Sequence, residues 1–447
     1  MTDFPPLAPD GLAALGRDLR EGRVTAERLA REALDRVSAL EPTLEAFTHI
    51  DAGRAVAHAR SLDALRSSGV TLGPLTGIPT ALKDLFTLDG MPTTAGSRMD
   101  IRDLVPPQGG FVNGLLAAGG VPLGKTRTTE FALGGINLDR PPPWNPCDRG
   151  LRRMTGGSSH GSAVAMAAGL AGFTVGSDTG GSVRWPAALC GVVGYKSSPA
   201  HWPCDGVFPL SPEMDSVGIF TQSAGDAAFV EAALAGRTLG AIPPIDTLRF
   251  AIPTEHFLEN LEAPVAACFE AAVSRLRQAG ARMVDLPAPE ARWIDDIFRH
   301  LVPADLLAFL GRERVARDHG RIDPVAAARL QGGFDVRADD YARMRALRGK
   351  AAQAMNERSI GIDAWITPTV PVLPHPIADY PTVESAAAWN RLATQNTRPA
   401  NLFGQCGISL PIQHLGADLP VGLQLAASGG SDAWLLAVAR SVEAALR

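Results

Sequence analysis

Cysteine is scarce in this 447-residue chain: five residues (Cys147, Cys190, Cys204, Cys268 and Cys406), odd in number and scattered, with no Cys-x-x-Cys. That excludes a disulfide framework and a thiolate zinc cluster, and it fits a reducing compartment. An excess of one charge is lacking too. Forty-two Lys and Arg against forty-seven Asp and Glu leave a net charge of −5, which argues against binding nucleic acid by bulk charge. No apolar run reaches the ~20 residues that a membrane span needs. The longest, Ala163 to Gly176, is broken by glycines. Met1-Thr-Asp-Phe-Pro-Pro has no basic stretch leading into an apolar one, so no signal peptide is expected. Repeats, low-complexity tracts and Gly/Ser linkers are absent, and the nine histidines are dispersed. The expectation is a soluble, cytoplasmic protein without metal or organic cofactor, and with neither membrane nor nucleic acid as a direct partner.

What is present is apolar mass. Hydrophobic residues make up 46% and charged residues 20%, enough to bury a large core. At ~150 residues per domain the length would suggest about three domains, but without linkers one body spanning residues 1–447 is expected. After a Pro-rich leader, a helix starts at Thr25 as N-cap with its stripe at Leu29, Ala33, Leu34, Val37 and Leu40, and is expected to stop at Pro42. From about Leu75 the texture changes to short apolar runs punctuated by Gly and Pro, alternating with helical stretches. Gly77–Leu82, Val121–Leu123, Phe173–Val175 and Val192–Val193 read as strands of an α/β sheet with helices on both faces. Ser162 to Leu170, apolar nearly all round, reads as a buried helix. Further strands are expected at Leu248–Ile252, Met283–Leu286, Ala364–Ile366 and Val421–Leu425, with a helix over Val265–Leu276 capped by Gly280. Residues 292–358 are helical and arginine-rich. Their charges read as a solvated face, on an insert over about 290–360 that carries substrate-pocket residues.

Three motifs compete for the chemistry. Gly119-Gly-Val-Pro-Leu-Gly124-Lys125-Thr126 has Walker A spacing, but the helix precedes it and the strand lies inside it, so Lys125 reads as structural. Gly157-Ser-Ser159-His-Gly161 has the nucleophile-elbow spacing, yet Leu151 to Gly156 is no buried strand. The third is a constellation: Lys83, the run Gly156-Gly-Ser-Ser-His-Gly-Ser162, and Gly176-Ser-Asp-Thr-Gly-Gly-Ser-Val-Arg-Trp-Pro-Ala187. Lys83 follows an apolar stretch whose desolvation disfavours its charge. Gly180 and Gly181 before Ser182 let successive amides point at one spot, as an oxyanion hole requires. Residues 156–162 place hydroxyls at the start of a buried helix.

At these residues the chain resembles the amidase signature enzymes. The Gly/Ser-rich stretch runs from about Thr155 to Lys196, inside a core of about 70–200. Further landmarks are Gly124–Ala132, Thr367–Thr369, Asn401–Gly404 and Leu419–Gln424. The resemblance implies a large, twisted mixed β-sheet covered by helices on both faces. It also implies a Ser–cis-Ser–Lys triad: Ser182 as nucleophile, Ser158 as the bridging serine after a cis peptide, and Lys83 as base. The oxyanion hole carries over to the amides of Thr179, Gly180, Gly181 and Ser182, and Asp178 and Arg184 support the nucleophile loop. Departures are His160 in place of a glycine, Ser197-Ser198 after Lys196, Cys406 where proline is common, and a bulky Trp185. The expected reaction is hydrolysis of a small carboxamide, or a related C–N bond such as a urea-like amide, through an acyl-enzyme. A homo-oligomer, a dimer, is expected. The alternative is the amidase subunit of a tRNA-dependent glutamyl/aspartyl amidotransferase, which releases ammonia from glutamine. A shorter C-terminal part and the departures after Lys196 weigh against it.

Overall fold

A computed structural model describes residues 4–447. Its spine is an eleven-stranded sheet: β1 (Phe47–Ile50), β2 (Pro79–Lys83), β3 (Val121–Thr126), β4 (Phe173–Asp178), β5 (Val193–Lys196), β6 (Ser216–Thr221), β7 (Arg249–Pro253), β8 (Arg282–Leu286), β9 (Ala364–Pro368), β10 (Cys406–Pro411) and β11 (Gly422–Ala427). The spatial order is β1-β3-β2-β4-β6-β5-β10-β11-β9-β7-β8. Strand β2 runs parallel to β3 and β4, and β7 runs parallel to β8 and β9; the remaining pairs are antiparallel. The mixed α/β architecture is therefore the one expected.

Every residue of β2, β3, β4, β5, β6, β9 and β11 is buried. Because successive side chains point to opposite faces, complete burial requires cover on both sides of the sheet. Such strands show no polar alternation, which is why their signal is a short apolar run. The edge strands β1 and β8 are partly exposed.

The helices follow their local chemistry. In helix Ala26–Leu44 the Thr25 side chain accepts from Arg28 N, as an N-cap does. This helix runs past Pro42 to Leu44, a correction to the expected stop. A proline in the last turn forfeits only one backbone bond, and the helix ends where Glu45 turns left-handed (φ 53°). Helix Ala263–Gln278 ends as expected at Gly280 (φ 98°), whose amide donates to Arg277 O while Ala281 N donates to Leu276 O. The buried helix is His160–Ala167, with every residue enclosed. Residues 294–358 form helices Ile294–Leu310, Arg312–Asp318, Pro324–Phe334 and Ala338–Arg358. Among the described residues no helix is long and apolar enough to cross a membrane.

Candidate active site

The parallel pairing of β2 with β4 sets Leu82 beside Val175, so Lys83 at the end of β2 lies next to the Ser177–Asp178 end of β4. Lys83 is completely buried. Its Nζ donates to Ser158 Oγ at 2.7 Å and to Ser177 Oγ at 2.9 Å. Burial pushes its pKa down from 10.5 to about 7, against the pull of Asp178 and Asp215. Among the described residues no carboxylate bonds to the amine; its contacts are hydroxyls.

Ser158 comes in on the loop before helix His160–Ala167, and the Gly157–Ser158 peptide is cis. The next residue ties this loop to the nucleophile loop, since Ser159 N donates to Ser182 O at 3.2 Å. Ser158 is wholly enclosed whereas Ser182 is half-buried. Of Lys83, Ser158 and Ser182, only Ser182 lines the cavity of about 590 Å³ beside the sheet. Thr179, Gly180 and Trp185 share that wall.

Asp178 shapes the turn that presents Ser182. Its carboxylate accepts from Gly181 N (2.8 Å), Val183 N (3.1 Å), Arg184 Nε and Nη2 (3.1 and 2.9 Å) and Asn401 Nδ2 (2.9 Å). Burial opposes its charge, but the Arg184 guanidinium overrides this and holds the carboxyl below the usual range. Arg184 in turn donates to Gln424 Oε1 and Asn401 Oδ1, both at 2.7 Å. Three landmarks far apart in sequence thus meet behind one loop. Gly181 must be glycine here: its φ is 123°, and a Cβ would lie 2.0 Å from Thr397 Oγ1. Its amide donates to Asp178 Oδ1, so of the four amides expected to form an oxyanion hole that of Gly181 is already engaged.

The competing motifs resolve physically. Strand β3 occupies the Walker-like segment, and Lys125 is buried with its Nζ on Asp84 Oδ1 (3.3 Å) and Thr93 Oγ1 (2.9 Å). Ser159 Oγ donates to Ser177 O and accepts from Ser177 N, so it is pinned to β4. His160 opens the buried helix. Among the described residues neither ring nitrogen has a partner, and burial drives its pKa well down, leaving a neutral ring outside the Lys83–Ser158 contact. Ser198 binds Asp432 at the start of helix Asp432–Leu446, Cys406 is enclosed in β10, and Trp185 packs against Trp389 (ring centres 5.2 Å apart).

Two residues bonded to the groups of this site escape the sequence reading. Ser177 is the second acceptor of Lys83, and its signal is its place in Gly176-Ser-Asp178. Asp215, buried with its pKa raised, accepts from Thr179 Oγ1 and from the amides of Leu210 and Ser211. No sequence pattern marks it, because its partners are brought by the fold.

Comparison with known proteins identifies the family. A family model described as amidase matches residues 28–436. The chain is 36% identical to 2-amino-5-chloromuconic acid deaminase of Comamonas testosteroni, over 97% of this chain and 95% of that protein. It is 33% identical to a glutamyl-tRNA(Gln) amidotransferase subunit of Chloroflexus aurantiacus, over 94% and 93%. A crystal structure of an amidase superposes with a TM-score of 0.86 at 30% identity, covering 97% of this chain and 99% of the other. A family model matched over residues 28–436 and a relative 36% identical over nearly its whole length place this protein in the amidase family, that of the amidase signature enzymes.

Proposed function

We propose that this amidase hydrolyses the C–N bond of a small carboxamide through an acyl-enzyme on Ser182. The observation that carries the reading is the 2.7 Å contact between a buried Lys83, with its pKa lowered to about 7, and Ser158 Oγ. Near neutral pH a large share of that amine is unprotonated and can accept a proton. Ser182 Oγ attacks the amide carbonyl and gives its proton to Ser158 Oγ, which passes its own to Lys83 Nζ. The amides of Thr179, Gly180 and Ser182 take the oxyanion. Lys83 returns the proton through Ser158 to the leaving nitrogen, the C–N bond breaks, and water hydrolyses the ester along the same relay. Asp178 and Arg184 hold the loop and do not react.

The unit of function is the whole chain, with residues of about 290–360 forming the substrate-facing cover. Five free cysteines support a cytoplasmic setting. A dimer is the expected assembly, checked by mass in solution. The similarity to an amidotransferase subunit supports a second reading, in which ammonia from glutamine passes to a partner. Ammonia release from a panel of aliphatic, aromatic and urea-like amides by the purified chain alone tests the first reading. Activity that appears only with partner subunits and tRNA replaces it with the second.

A further inference from the structure

The cavity before Ser182 is lined by four arginines and two aspartates. Two of the arginines are paired: Arg398 with Asp295 at 2.5 Å, and Arg299 with Asp296 at 2.8 Å. Arg391 is exposed. Arg329 differs from all of them. It projects half-buried from helix Pro324–Phe334 and, among the described residues, makes no hydrogen bond or ion pair. Burial, with Arg398 nearby, pushes its guanidinium down to about 10. A half-buried cation without a counter-charge of its own is open to a ligand that brings one.

Beside it stands Asn390, nine-tenths buried. Its Oδ1 accepts from Gly135 N at 3.2 Å, which fixes the orientation of the amide, and its Nδ2 has no acceptor among the described residues. An atom placed at the Cβ position of Gly134 would lie 3.3 Å from both Arg329 Nη1 and Asn390 Nδ2. The two unused donors thus converge on the Gly134 side of the cavity. The backbone beneath it packs on the loop that carries Ser158: a Cβ on Gly157 would meet Gly135 Cα at 2.8 Å and Gly134 O at 3.4 Å.

We propose that Arg329 and Asn390 form a carboxylate subsite, so that the substrate is the amide of an acid bearing a second, ionised carboxyl group. The guanidinium fork matches a carboxylate in a way no neutral group can, and the cation surplus of the cavity favours an anion. The inference rests on the amidase reading of Ser182, and its test separates the two. Calorimetry with glutarate and succinate on the Ser182→Ala protein should show binding that weakens at least tenfold when Arg329→Gln is added. Ammonia release should favour glutaramate and succinamate over valeramide and butyramide by at least tenfold in kcat/KM. Arg329→Gln should reduce that ratio at least tenfold, mainly through KM, and Arg329→Lys should restore part of it. Asn390→Asp, which sets a negative charge against the anion, should lower the same ratio and serves where Arg329→Gln fails to fold. No dicarboxylate binding, or a ratio indifferent to both positions, overturns the subsite. Dicarboxylates bound through Arg329 by a protein that hydrolyses no amide leave the subsite standing and overturn the amidase reading instead.

Discussion

The sheet side of the cavity and the helical side facing it treat their polar groups in opposite ways. Behind Ser182, Lys83, Ser158, Ser177, Asp178 and Arg184 are all enclosed and each is bonded to another protein group. Across the cavity, the Arg329 guanidinium and the Asn390 amide nitrogen have no protein partner among the described residues. Reacting groups need a geometry fixed before substrate arrives, which a closed hydrogen-bond network provides. Recognition needs groups whose partner the ligand supplies. The same contrast appears in the glycines: Gly181 on the sheet side has no room for a methyl group, whereas Gly332 in helix Pro324–Phe334 faces open space.

The largest effect that would break this division is at Ser182. Ser182→Ala should lower turnover by several orders of magnitude and abolish any acyl adduct seen by intact mass. Activity surviving in that variant would place the reacting wall elsewhere.

Lys83 comes next. Lys83→Arg should lose nearly as much, because a guanidinium stays protonated near neutral pH. In the unaltered enzyme kcat/KM should fall as pH drops through about 7, where the buried amine protonates. Near-normal rates with an unchanged pH profile in Lys83→Arg would mean that only a positive charge is needed. The same residue has a stability signature. Its folded pKa of about 7 lies below the ordinary 10.5, so the unfolded chain binds more protons between those values. Stability from this group is full above about 10.5, declines as pH falls to about 7, and changes no further below that. Lys83→Met should therefore gain on the wild type as pH is lowered through that window, read as urea midpoints at pH 10, 8.5 and 7. A constant offset across the three would contradict the lowered pKa.

The two glycines give a smaller and opposed pair of effects. Gly181→Ala drives a methyl into Thr397 and disturbs the amide held by Asp178, so a loss on the order of 10²-fold in kcat is expected, together with a lower melting temperature. Gly332→Ala, in a helix with nothing nearby, should raise stability by about 0.4–1 kcal/mol. Equal destabilisation by both would show that the helical wall is packed as tightly as the sheet.

How far the sequence foretells these walls follows from the same contrast. Ser158 and Ser182 are legible because the motif around them is short-range, glycines and hydroxyls at fixed spacing on two loops, and Lys83 because it ends the apolar run that forms β2. Strands β1, β6 and β10 are not, since none carries a continuous apolar run: Thr48 and His49 interrupt β1, Gly218 interrupts β6, and Gly407 and Ser409 interrupt β10. Ser177 lies within its motif, but the motif alone gives it no role. The ties of Asn401 and Gln424 to Arg184 span more than 200 residues, and no local pattern encodes them. Arg329 lies in an arginine-rich stretch that reads as a solvated face. That reading holds for Arg299 and Arg343 but fails for Arg329, because only the fold shows which arginine of a helical segment turns inward.

The smallest expected effect bears on the two adjacent serines. Ser159 belongs to the same Gly/Ser run as Ser158, yet its Oγ is spent on the backbone of Ser177 and no route leads from it to the cavity. Removing that hydroxyl should cost about 1 kcal/mol for the lost hydrogen bond. The rate should change only through Ser177, whose hydroxyl is the second acceptor of Lys83 Nζ. Gly176 limits how far the strand can move in response, since it packs so closely on Ser159 that a Cβ there would lie 2.9 Å from Ser159 Cβ, an atom that alanine keeps. Ser159→Ala should therefore retain activity within about tenfold, with KM unaltered and the acid limb of the pH profile shifted slightly as the surroundings of Lys83 relax. A folded but inactive Ser159→Ala beside an active Ser182→Ala would exchange the roles of the two loops, make the elbow spacing at 157–161 the true signal, and leave the contact between Lys83 and Ser158 without a catalytic purpose.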